Sequence, residues 1–106
     1  MTLEDLQKIP VLQTATVNET AGKDPETMHY IITCLRSFWS GNYGTVCDDD
    51  TAANNSDLAE GCGHVLARYP QKYKLIDDIY IEAHFDADNL DDVNYTNTLI
   101  MYPDER

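Results

Sequence analysis

At 106 residues, with 42% hydrophobic and 25% charged side chains, the chain has the size and composition of one small folded domain. Its 19 acidic against 7 basic residues give a net charge of -12, which excludes ordinary electrostatic binding to DNA, RNA or anionic lipid. The longest uncharged apolar stretch, Tyr30 to Leu35, is broken by Thr33 and falls far short of the roughly 20 residues that span a bilayer, so a soluble protein is expected.

Met1-Thr2-Leu3-Glu4-Asp5-Leu6 carries acids where an export signal would carry bases, and a cytoplasmic location is expected. Cys34, Cys47 and Cys62 are odd in number and include no Cys-x-x-Cys pair, which suits reduced thiols rather than a disulfide framework or a zinc site. Asn18, Asn54 and Asn94 begin Asn-x-Ser/Thr sequons that would matter only in a secretory pathway, to which nothing else points.

Residues 3 to 8 predict a short helix stopped by Pro10. Val11 to Val17 alternates β-favouring residues and predicts a first strand. Asp24-Pro25-Glu26 is a helix start: the Asp side chain accepts free N–H groups, Pro fits the first helical position, and Glu opposes the positive end of the dipole. The helix should run to about Ser40, with Met28, Ile31, Ile32, Leu35 and Trp39 in one stripe facing a core.

Gly41-Asn42-Tyr43-Gly44 breaks the chain. A second helix is predicted from Cys47-Asp48-Asp49 to Glu60, closed by Gly61 and Gly63, with Val46, Ala53 and Leu58 as its few apolar contacts. From His64 the period changes, and strands are predicted at 65–69, 73–85 and 95–102. Pro70-Gln71-Lys72 should turn the first pair, and Asp86 to Asn94 forms an acidic loop between the last two. In the middle strand Ile79, Ile81, Ala83 and Phe85 share one face, while Asp78, Tyr80, Glu82, His84 and Asp86 share the other. The expected fold is α+β, a single domain over residues 1–106, with an antiparallel sheet of three to four strands and two main helices on one face.

Charge is unevenly placed. No base lies between Arg36 and Arg68 or between Lys74 and Arg106, yet these two segments hold fourteen of the nineteen acids. Alternate strand residues sit about 6.6 Å apart, close to two steps of about 3.4 Å along one DNA strand. Carboxylates such as Asp78, Glu82 and Asp86 would then imitate a row of phosphates, the plain alternative being a solvated acidic face. Asp86-Ala87-Asp88-Asn89-Leu90-Asp91-Asp92 begins like a calcium loop but fails at Leu90, Asp91 and Asn97, where that loop needs an oxygen ligand, a glycine and a glutamate. Glu82, His84 and Asp86 project from one strand face and would suit a metal or an acid–base pair, but no His-x-x-x-His or His-Glu-x-x-His spacing accompanies them. No cofactor or metal is expected, and Cys34 belongs to the core.

The run Leu35-Arg36-Ser37-Phe38-Trp39-Ser40-Gly41-Asn42-Tyr43-Gly44, followed by Asp50, Asn54, Leu58 and Gly61, resembles a small-protein family of phages, plasmids and integrative elements of gut bacteria. In that family a Gly-Asp-Trp-Gly turn leads into an acidic helix bearing Asp and Asn. The resemblance continues through residues 65–69, 79–82 and 98–105 and covers roughly residues 11 to 105. Asn42 and Tyr43 stand in place of the family's Asp and Trp, and Gly63-His64 stands where an Arg is usual. The chain is also similar, less specifically, to small acidic anti-CRISPR proteins that inhibit type II CRISPR effector nucleases.

The resemblance implies counter-defence work without enzymatic activity, and the charge pattern supplies a means: carboxylates occupying a basic groove or motif-reading arginines where target DNA would bind. The candidate contact residues are Asp48, Asp49, Asp50, Asp57, Asp78, Glu82, Asp86, Asp88, Asp91 and Asp92. The alternative is a non-catalytic accessory protein of a phage or plasmid that binds a partner, or a second copy of itself, through Trp39, Tyr43, Tyr80 or Tyr95.

Overall fold

A computed structural model describes residues 1–106. The elements are α1 (Leu3–Gln7), β1 (Val11–Gln13), α2 (Ala15–Lys23), α3 (Pro25–Trp39), α4 (Asp48–Glu60), β2 (Cys62–Tyr69), β3 (Ile79–Asp86) and β4 (Asn97–Met101). Single 3-10 turns follow β3 and β4. The fold class is α+β. The sheet runs β1-β4-β3-β2; β2, β3 and β4 form an antiparallel meander, and β1 joins β4 in parallel. The sheet is therefore mixed rather than wholly antiparallel. No hairpin ties β1 to β4, so the turn chemistry that dictates antiparallel pairing along the meander does not act on it. No helix is long and apolar enough to cross a membrane.

The strand expected over 11–17 ends at Gln13. Thr14 accepts the Val17 N–H and opens α2, whose Val17 and Ala21, four residues apart, are the buried positions. β-branched residues favour a strand only until a cap with a buried helical stripe competes. α3 begins and ends where its caps predict, but its stripe is rotated: Thr27, Ile31, Cys34 and Phe38 are buried, whereas Ile32 is 39% exposed. The rotation turns on two small polar residues. Thr27 bonds both Asp24 and the Lys74 N–H, and Cys34 packs as an apolar group whose thiol pKa burial raises.

Asp24 accepts the Thr27 hydroxyl (2.6 Å) and the Thr27 N–H (3.2 Å), and the hydroxyl bond above all holds its carboxyl below the ordinary 3.8. A depressed folded pKa means that the cap stabilises the fold above 3.8 and stops doing so as pH falls through the lower folded value. Asp24→Ala should therefore lower the urea midpoint at pH 7, and the gap to the parent should narrow as the pH is taken below 3.8.

The face of β3 formed by Ile79, Ile81, Ala83 and Phe85 is buried, as its alternation predicts, and joins residues of all four helices in one core. β3 starts at Ile79 rather than Tyr73. Residues 70–78 form a loop instead of a tight turn, fixed by the Asp78 carboxylate on the Gln71 N–H, the Gln71 amide on the Leu75 carbonyl, and the Lys74 N–H on Thr27.

α4 runs along the outer edge of β2 and closes it. The Asn54 side chain accepts the Leu66 N–H (2.9 Å) and donates to the Leu66 carbonyl (2.8 Å), as a neighbouring strand would. Asp57 accepts the His64 N–H, and the Gly41–Gly44 turn supplies the rest: the Arg68 N–H donates to Tyr43, and the Thr45 N–H donates to the Arg68 carbonyl. Asn54 is buried, and Ala53, expected among the apolar contacts of this helix, faces solvent.

Candidate functional site

The fold brings the two base-free segments together at one place. The Ala87 N–H donates to the Gly61 carbonyl at 3.0 Å, and Cys62 pairs with Asp86 where β2 begins and β3 ends. Asp57 and Glu60, on the last turns of α4, are therefore brought to the same end of the sheet as Asp86 and Asp88. None of these four carboxylates pairs with a lysine or arginine.

The ten predicted acids do not form one surface. Asp48, Asp49 and Asp50 are exposed in the first turn of α4, with Asp48 roughly 18 Å along the helix from Glu60 at 1.5 Å per residue. Asp78 lies at the far end of β3, about 26 Å of strand from Asp86. There it bonds the Gln71 N–H (2.8 Å) and Arg68 Nε (2.9 Å), which hold its pKa down, so its charge is answered within the chain.

Glu82 corrects the phosphate-row expectation. It is 4% exposed, and its carboxylate receives Arg106 Nε and Nη2 (3.0 and 2.8 Å) on one oxygen and meets His84 Nε2 (2.9 Å) on the other. A buried, paired carboxylate offers nothing to a basic groove, so Asp78, Glu82 and Asp86 form no continuous line of charge. Burial has a packing cause: Glu82 sits between Leu66 and Leu99 on the neighbouring strands.

Asp86 turns back to cap the 3-10 turn, accepting the Asp88 N–H (3.0 Å) and the Asn89 amide (2.9 Å), which lower its pKa. Asp92 caps the following turn through the Asn94 N–H. Asp88 and Asp91 are exposed, and Asp91 lines a recess of about 210 Å³ with Met1, Asp5, Lys8, Ile9 and Leu90. A larger recess of about 410 Å³ lies between α2 and the 70–78 loop, lined by Thr16, Thr20, Lys23, Lys74, Ile76 and Tyr102 among others.

The aromatic candidates separate as clearly. Tyr43 is buried edge-on against Phe38 and cannot serve as a surface anchor; the glycines on either side of it fold the turn inward. Trp39 is half-buried, and Tyr80 is half-buried beneath the Arg68 guanidinium, 5.3 Å from its ring centroid. Tyr95 is exposed, as are Leu90 and Val93 on the same loop.

Glu82, His84 and Asp86 do not converge on a metal, because Asp86 caps its turn and Glu82 holds Arg106; no group of three or more His, Cys, Asp or Glu side chains is placed to hold one. What joins His84 instead is His64, directly opposite on β2 with ring centroids 6.0 Å apart. Their partnership depends on a register set by the 70–78 loop. The pairing roles of Arg106 and Asn54 escaped sequence reasoning for the same reason, since their partners lie 24 and 12 residues away. Cys34 is buried in the core as expected, Cys47 and Cys62 are exposed, and all three are free thiols. Comparison of the chain with protein-family models, with curated proteins and with solved structures gave no match to any of them.

Proposed function

We propose that this chain is a non-catalytic, cytoplasmic binding protein encoded by a mobile element that inhibits a nucleic-acid enzyme of its host. A type II CRISPR effector nuclease is the target class that the resemblance implies. Its acidic end, centred on Asp57, Glu60, Asp86 and Asp88, covers a basic surface on which DNA would otherwise lie. The reading rests on the Gly61–Ala87 contact, which brings together carboxylates from both base-free segments with no lysine or arginine to neutralise them. Asp48 to Asp50 extend the charge along α4, while Asp78 and Glu82 fall outside the contact because the chain's own arginines occupy them.

A gel-shift titration against a guide-loaded effector tests the reading. Wild type should displace target DNA, and more weakly as salt rises from 50 to 200 mM, since exposed charges are screened. Glu60→Lys with Asp88→Lys, both at exposed positions, should weaken inhibition at least ten-fold. Absence of binding to any guide-loaded effector, or unchanged inhibition by the double variant, overturns it. A second reading, the accessory protein with an apolar contact, is favoured by one observation: Leu90, Val93 and Tyr95 are 48%, 44% and 59% exposed on a single loop. Tyr95→Ala would then abolish partner binding while the double reversal would not.

A further inference from the structure

His64 and His84 occupy directly opposed positions of β2 and β3. The His64 N–H donates to Asp57 rather than to β3, so the pair lacks mutual backbone bonds, the arrangement in which opposed side chains approach most closely. The two rings are tilted by 37° with centroids 6.0 Å apart, and their side chains are 49% and 54% exposed. His84 has a carboxylate on one ring nitrogen, with Nε2 2.9 Å from Glu82 Oε1, whereas the Asp57 carboxylate stands 3.8 Å from His64 Nδ1, beyond hydrogen-bond reach. His84 Nδ1 and the ring nitrogens of His64 have no hydrogen-bond partner and are open to a ligand bond.

At His84 a carboxylate on one ring nitrogen with the other left free is the arrangement metal-binding histidines adopt, because it fixes the ring and raises its basicity. The distance also fits. With a metal–nitrogen bond of about 2.0–2.1 Å, an ion lies about 3.2 Å from each ring centroid, so one ion can bridge rings up to about 6.4 Å apart, and tetrahedral geometry wants about 5.2 Å. The observed 6.0 Å lies within that reach. A net charge of -12 draws divalent cations towards the surface.

We propose that His64 and His84 form a two-histidine clamp for one borderline transition-metal dication, of the zinc, nickel and copper class, stapling β2 to β3 on the partly exposed face of the sheet. No third His, Cys, Asp or Glu completes the set, so the remaining coordination positions fall to water or to a donor from another molecule. Affinity should rise from zinc and nickel to copper, as imidazole sites ordinarily do.

Calorimetric titration of the purified full chain with zinc chloride, and separately with nickel chloride, tests the clamp. One ion per chain is expected. Affinity should fall more than ten-fold in His64→Ala and in His84→Ala, and stay unchanged in His29→Ala, whose histidine is exposed on α3. Should either histidine variant fail to fold, nickel-induced broadening of the wild-type ring resonances decides the matter: His64 and His84 broadened together and His29 untouched supports the clamp. The proposal is overturned by the absence of one-to-one saturable binding, by binding that survives in a folded His84→Ala chain, or by broadening that includes His29 equally.

Discussion

Replacing Asn54 with leucine is expected to destabilise the fold by about 3 kcal/mol or more, since the Leu66 N–H and carbonyl would both lose their partner and each orphaned buried group costs about 1–3 kcal/mol. For a domain of this size that is a fall in Tm on the order of 12–24 °C. Leucine shares the branching of asparagine but is bulkier, so it removes both hydrogen bonds without leaving a cavity, and crowding at this buried site adds to the loss of the edge clip. The neighbouring Asn55→Leu, at an exposed position, should stay within about 0.5 kcal/mol. Urea unfolding reads both, and static light scattering should show association of the Asn54 variant, because an uncovered strand edge is a template for pairing with another chain.

Gly44→Ala is expected to be at least as severe. Gly44 has φ +73° and bridges Arg68, and a Cβ there would lie 1.9 Å from the Arg68 carbonyl oxygen and 2.9 Å from both its carbon and Tyr69 Cδ1. A clash with backbone cannot be relieved by a change of rotamer, so the Gly41–Gly44 turn must leave β2 and give up its bonds between Arg68, Tyr43 and Thr45. The left-handed conformation alone costs an alanine roughly 1–2 kcal/mol, and with the lost edge bonds the total should exceed about 3 kcal/mol. Gly22→Ala supplies the contrast within the same chain. That site lies in α2 with nothing within 4 Å of the added methyl, and the change should stabilise by about 0.4–1 kcal/mol. A thermal melt that ranks the two glycines in the opposite order would refute this account of the turn.

Features set by neighbours a few residues apart were legible from the chain alone. The Asp24-Pro25 start of α3, the Gly61 stop of α4 and the alternation of Ile79 to Phe85 each follow from local geometry, and each stands in the structure. The misplacements share a different cause. Thr14 ended β1 early because its hydroxyl caps a helix, and the α3 stripe turned because Thr27 and Cys34 are buried by contacts with distant residues. Of the candidate acids, their positions in the chain were plain but their partners were not. Asp78 and Glu82 were lost to Arg68 and Arg106, which only the folded register brings near, whereas Asp88 and Asp91 remain exposed. The opposition of His64 and His84 was invisible for the same reason: a twenty-residue separation carries no periodic signal.

The three thiols fall at useful places. Cys47 and Cys62 flank α4 at its two ends, roughly 20 Å of helix apart, and both are open to reagents, while Cys34 is enclosed and its raised pKa keeps it as the unreactive thiol. The native chain thus carries a ready pair of attachment points for spin or fluorescent labels. The distance between such labels would report directly whether the acidic helix stays straight and stays docked when a partner arrives.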